Sequence, residues 1–163
     1  MSDLALPSHM LGKEEYSVLP ALEKEEYIDN VIKEILKLNP QGVTISDIDK
    51  STYFGHVTIW HHLELMASRA ECIKMERDDI DVYYTNKVVL SFPEIELKGK
   101  ILGSRLSFDA VENLFGKFLR IQRHIEDSRS SAHKVRNGII FPSDSIDEFI
   151  KTLTHIKSRL NKK

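Results

Sequence analysis

Residues 45–85, ISDIDKSTYFGHVTIWHHLELMASRAECIKMERDDIDVYYT, switch from helical to strand periodicity part-way along, and that switch decides how the chain folds. Ser46 offers a hydroxyl to cap the backbone donors ahead of Asp47-Ile48-Asp49, which predicts a short helix. A turn is expected around Tyr53-Phe54-Gly55. A second helix is predicted over 57–68, because Ile59, Leu63 and Met66 recur at i, i+4, i+7 and share a buried face. The opposite side then presents His56, Thr58, Trp60, His61 and Glu64 to solvent. From Cys72 the chain reads as strands at 72–76 and 82–85, joined through Arg77-Asp78-Asp79-Ile80-Asp81 as a β-hairpin.

Upstream, Tyr27, Ile28, Val31, Ile32, Ile35, Leu36 and Leu38 form a helical stripe over 25–38. Asn39-Pro40-Gln41-Gly42 ends it. Pro7, Gly12 and Pro20 interrupt the opening stretch, so 1–23 is expected to be a flexible arm, with Tyr16, Val18, Leu19 and Leu22 able to anchor it across a partner subunit.

In this order the elements make a winged helix-turn-helix over 24–87. Ile59-Trp60-His61-His62-Leu63-Glu64-Leu65, followed by Cys72-Ile73-Lys74 and Val82-Tyr83-Tyr84, resembles the recognition helix and wing of ArsR- and MarR-like winged-helix regulators, particularly prokaryotic and archaeal ones. The resemblance implies a homodimer on double-stranded DNA, with one helix in the major groove and the wing near the backbone. Under it His56, Thr58, Trp60 and His61 approach base edges, while Lys50, Ser51, Thr52, Tyr53 and Arg77 meet phosphates. The wing departs from the family's basic tip: Asp78, Asp79 and Asp81 surround a single Arg77. Phosphates repel such a tip, so either the wing stays off the DNA or the module docks on protein.

The 163 residues are 41% hydrophobic and 29% charged, ordinary for one globular domain or two small ones. No apolar run approaches the roughly 20 residues of a membrane span, and the N-terminus lacks the basic opening and apolar core of a signal peptide. A cytoplasmic protein with no membrane partner is expected. A single cysteine, Cys72, rules out an internal disulfide; in a strand it is either a buried thiol or a redox sensor. The net charge of −2 is unevenly spread. Residues 1–90 carry 9 Lys+Arg against 16 Asp+Glu, a net of −7, whereas 91–163 carry 14 against 9, a net of +5. Two modules with different partners, or one half resting on the other, fit this division.

The second half, 88–163, is expected to be a basic α+β module for nucleic-acid binding, dimerisation or both. Glu94-Ile95-Glu96-Leu97-Lys98 alternates, and Ile101-Leu102, Leu106 and Phe108 extend the strand character. As a strand, 118–125 puts Leu119, Ile121 and Ile125 on one face and Phe118, Arg120, Gln122 and His124 on the other. The region 110–124 also reads as a helix through Val111, Leu114, Phe115 and Phe118, although Gly116 opposes it. A polar loop over 127–138 carries Arg129, His133, Lys134 and Arg136, and leads to a short buried strand, Ile139-Ile140-Phe141. Ser145 with Glu148 fits a capping box for a terminal helix whose stripe is Ile146, Phe149, Ile150, Leu153, Ile156 and Leu160. In the order β-β-β-β-α and at the junction Gly138-Ile139-Ile140-Phe141-Pro142, this half is similar to the single-stranded-DNA-binding fold of transcriptional coactivators and plant Whirly proteins. That similarity implies a second surface of Lys117, Phe118, Arg120, Gln122, His124, Arg129, Lys134 and Arg136 for single-stranded DNA; the alternative is solvated charge on a dimerisation module.

Adjacent His61 and His62 diverge by about 100° on a helix and make poor joint ligands, so no metal is expected. The 7 scattered glycines form no phosphate loop, and no nucleophile elbow is present, so neither an enzyme nor a cofactor is expected. The sequence reading is therefore α+β: an N-terminal winged helix-turn-helix, then a small β-rich module closed by an amphipathic helix. The expected function is DNA-binding transcription regulation, with single-strand binding by the second half or a protein-interaction adaptor as alternatives.

Overall fold

The computed structural model describes residues 4–97, 104–126 and 133–161. The architecture is α+β, and the chain divides into two compact units, one ending at Lys87 and one beginning at Val88.

In the first unit, α1 (Lys13–Ser17), α2 (Ala21–Leu38), α3 (Ile45–Ser51) and α4 (His56–Ser68) precede a hairpin of β1 (Cys72–Arg77) and β2 (Ile80–Thr85). The stripe of α2 is buried through Ile28, Val31, Ile32, Ile35 and Leu36. It meets Ile48 of α3, Ile59, Leu63 and Met66 of α4, and Val43, Phe54, Cys72 and Tyr83 in one core. The start of α3 is fixed by Thr44 rather than Ser46: the Thr44 hydroxyl accepts from the Asp47 backbone N–H at 3.1 Å while the Thr44 N–H donates to the Asp47 carboxylate at 2.9 Å. The reciprocal box satisfies two backbone donors at once, which a lone serine does not.

The hairpin closes more tightly than the sequence indicates. Arg77 pairs with Ile80, leaving Asp78 and Asp79 as a two-residue turn with φ of 53° and 62°. Positive φ at both central positions suits the right-handed twist of the strands, and aspartate tolerates it better than most residues. Val43 adds a bridge to Tyr83, exchanging backbone hydrogen bonds of 3.0 and 2.8 Å. The preceding Gly42 has φ 96°, and a Cβ there would sit 2.5 Å from the Tyr84 ring.

The segment expected as an arm lies on its own unit. The Tyr16 ring stands 5.8, 5.3 and 5.7 Å from those of Tyr27, Tyr53 and Phe54. Leu11 N–H donates to the Tyr27 hydroxyl at 2.7 Å, and Asn39 exchanges hydrogen bonds of 3.0 and 2.9 Å with the Ala5 backbone.

The second unit is a four-stranded sheet in the order β3 (Lys87–Glu96), β4 (Ser104–Asn113), β5 (Gly116–Glu126), β6 (His133–Pro142), followed by a 3-10 turn (Ser143–Ser145) and α5 (Ile146–Leu160). The region 110–124 is thus strand, broken by a turn at Leu114-Phe115 where Gly116 takes φ 124°. Cross-strand pairing of β4 with β5 on both sides of that glycine outweighs the local helical spacing. The tail of the expected polar loop, from His133 on, belongs to β6; the rest of that loop, with Arg129, and Ile101-Leu102 lie outside the described residues. Ile139 is 52% exposed, so the strand around it is not buried. Ser145 makes no side-chain cap, because the 3-10 turn gives it helical φ and ψ of −93° and −2°, away from the extended geometry a capping residue needs.

Candidate nucleic-acid interface

Helix α4 is held by one face and offers the other. Ile59, Leu63 and Met66 are all 0% exposed, as the i, i+4, i+7 spacing requires. The outward face carries His56, Val57, Trp60 and His61, with Val57 74% and Trp60 48% exposed; Thr58 is half-buried at its edge. His56 stands 3.7 Å from the Asp49 carboxylate of α3. Of the four expected base-contacting residues, His56, Trp60 and His61 therefore lie on the outward face of α4, and Thr58 stands at its margin.

The expected phosphate contacts are dispersed. Lys50 is exposed at the end of α3, and Ser51 beside it is half-buried. The Thr52 hydroxyl donates to the Ile48 carbonyl at 2.9 Å and accepts from Phe54 N–H at 3.3 Å, closing the helix end. Tyr53 turns inward: its hydroxyl donates to the Leu11 carbonyl at 2.9 Å, and burial among Tyr27 and Tyr16 raises its pKa. Tyr53 is thus a tether for the N-terminal segment, which was invisible from spacing because its partner lies 42 residues away. Arg77 is exposed at the hairpin tip beside Asp78 and Asp79.

Glu64, expected on the solvent face, is instead the link between α4 and the hairpin. One of its oxygens accepts from Lys74 Nζ and from the Tyr83 hydroxyl, both at 2.7 Å. Lys74 also reaches Asp81 at 2.9 Å, which neutralises one of the hairpin's three aspartates. These two carboxylates hold the Lys74 ammonium charged, above its ordinary range, and Lys74 with Tyr83 holds Glu64 below its own.

His62, which precedes the core residue Leu63 and is expected to pack at the edge of α4, packs more deeply than that. It is 3% exposed on the α2 side of α4, with Nδ1 3.4 Å from Asp29 and Nε2 3.2 Å from Glu25. Asp29 also meets Lys33 at 2.8 Å, and Lys33 meets Glu71 at 3.2 Å. This polar seam fixes the rotation of α4 against α2. The signal for it was the i, i+4 pair Asp29 and Lys33 next to Glu25.

On the sheet of the second unit, Arg120 is not open to a ligand. It donates to one Asp109 oxygen from Nη2 at 2.8 Å and Nε at 3.2 Å, with both side chains 10% exposed, and Ser91 donates to the other oxygen at 2.6 Å. Gln122 is 5% exposed, and His124 Nε2 lies 2.8 Å from the Ser107 hydroxyl. Phe118 is half-buried, whereas Lys117, Lys134 and Arg136 are exposed. The expected basic face is thus not one surface: Arg120, Gln122 and His124 are packed, while Lys117, which alternates with Phe118, and Lys134, which pairs with Ile125, lie on the other face of the sheet. Among the described residues no group of three or more His, Cys, Asp or Glu is placed to hold a metal, and no helix is long and apolar enough to cross a membrane.

No family model, no curated protein and no solved structure matches this chain.

Proposed function

We propose that this chain is a DNA-binding transcriptional regulator of winged helix-turn-helix type, akin to the ArsR- and MarR-like proteins, which works as a homodimer and catalyses no reaction. The observation that carries the reading is Trp60, an indole 48% exposed between His56 and His61 on the outward face of a helix whose other face is locked into the core. Rigid support of this kind lets a helix present side chains to a groove without ordering cost on binding. The imidazoles supply donors and acceptors for base edges, Val57 and Trp60 apolar contact with thymine methyls, and Lys50 a nearby phosphate contact.

Trp60 is the chain's single tryptophan, so its fluorescence reports on this face alone. Titrating the full chain with mixed-sequence duplex is expected to quench that emission, with an affinity that falls steeply as salt rises. Trp60→Ala and His61→Ala, followed by anisotropy of labelled DNA, should each weaken binding by about tenfold, in the range of one lost base contact. Unchanged duplex affinity in both variants overturns the reading.

A second reading, a protein-docking adaptor, is favoured by charge. The unit through Lys87 is net −7, and Asp78 and Asp79 stand at the hairpin tip. Under it the same Trp60 face meets a protein partner, and binding barely responds to salt because no counterions leave DNA.

A further inference from the structure

Helix α5 carries an apolar stripe that its own unit leaves uncovered. Phe149 packs on Phe141 of β6, with ring centres 4.5 Å apart, but Ile150, Leu153, Ile156 and Leu160 are 54, 48, 46 and 76% exposed. Ile146, Ile150, Leu153 and Leu160 follow one another at steps of four, three and seven, the spacing of a helix-pairing seam, with Ile156 beside them. The unit around α5 is short of core: among its described residues, Val111 is the one buried hydrophobic side chain. A domain this small is marginal even with a full core, so its apolar surface needs a further layer.

The charges say which layer fits. Asp147 and Glu148 lie in the first turn of α5, Lys157 and Arg159 in the last. A parallel copy would set like charges side by side, whereas an antiparallel copy sets acid against base and also opposes the two helix dipoles. We propose that α5 pairs antiparallel with α5 of a second copy of this chain, across a two-fold axis passing by Leu153. In that register Leu153 meets its own counterpart, Ile150 meets Ile156, Ile146 meets Leu160, and Asp147 comes opposite Arg159. The pairing rests on the homodimer in the reading above and is indifferent to what the α4 face contacts.

The test uses the full chain, by light scattering for mass and by cross-linking for register. Wild type is expected to be a dimer at micromolar concentration. Leu153→Asp should raise the dissociation constant on the order of 100-fold, because two carboxylates would be buried together at the axis. Since losing the dimer also threatens the fold of this unit, Leu153→Cys gives an independent arm: a short bis-maleimide should join two chains through it. Ile146→Cys alone should not cross-link, because the two copies would lie about 21 Å apart along antiparallel helices. Cys72 is 2% exposed and does not compete for the reagent. Efficient cross-linking at Leu153→Cys and none at Ile146→Cys supports the pairing; the reverse pattern, or a dimer that survives Leu153→Asp, overturns it while sparing the homodimer. A monomeric wild type overturns both and assigns the stripe to another partner.

Discussion

The Tyr83 hydroxyl donates to Glu64 at 2.7 Å, so a fully buried β2 residue is fastened to the helix that carries Trp60. Glu64 binds Lys74 of β1 through the same oxygen. One carboxylate thereby sets where the hairpin stands relative to α4.

Tyr83→Phe is expected to lower stability by about 1.5 kcal/mol, the usual cost of losing a hydrogen bond to a charged acceptor. The ring still fills its place, so no cavity forms. Urea unfolding followed by circular dichroism checks this, and a change under a few tenths would show the contact to be idle.

Acid should weaken the seam between α2 and α4. Burial raises the pKa of Asp29, but hydrogen bonds with His62 and Lys33 and the charge of Lys33 outweigh it and bring the value down to about 2 from an ordinary 3.8. Because the folded value is depressed, the stabilisation is complete above the ordinary value and is lost as pH falls from about 4 towards 2. Measured as a difference in urea midpoint, wild type should exceed Asp29→Asn at pH 6, with the gap closing across that window.

Arg120→Ala should cost the second unit about 3–5 kcal/mol, since Asp109 would remain buried as an unpaired charge. Replacing both, Arg120→Met with Asp109→Leu, should recover most of that loss. If the single and double variants unfold at the same denaturant concentration, the pair does not act as described.

Gly42→Ala should destabilise the first unit by at least about 1 kcal/mol, because φ 96° is strained for alanine and its methyl would meet the Tyr84 ring. Thermal denaturation reads the effect, and an unchanged midpoint would mean that the hairpin yields freely at this point.

Cys72 is buried, and that burial, with Glu71 and Glu64 nearby, pushes its thiol up to about 12. Thiol reagents should therefore modify the folded chain far more slowly than the unfolded one. Equal rates in native buffer and in denaturant would bring back the redox-sensor alternative.

The sequence by itself determined what repeats locally. The stripe of α2, the face of α4 through Ile59, Leu63 and Met66, and the stripe of α5 all follow from a period near 3.6, and in α2 and α4 apolar burial enforces that period. The charge division between the two halves is likewise legible in composition alone. Tertiary structure decided what each polar group does, because a hydroxyl, carboxylate or guanidinium takes the partner that folding brings within 3 Å. Tyr53 found the Leu11 carbonyl, Glu64 found Tyr83, and Arg120 found Asp109 across a strand register that no local pattern specifies. The same limit applied at 110–124, where helix and strand spacing coincide in the sequence and pairing between β4 and β5 chose the strand.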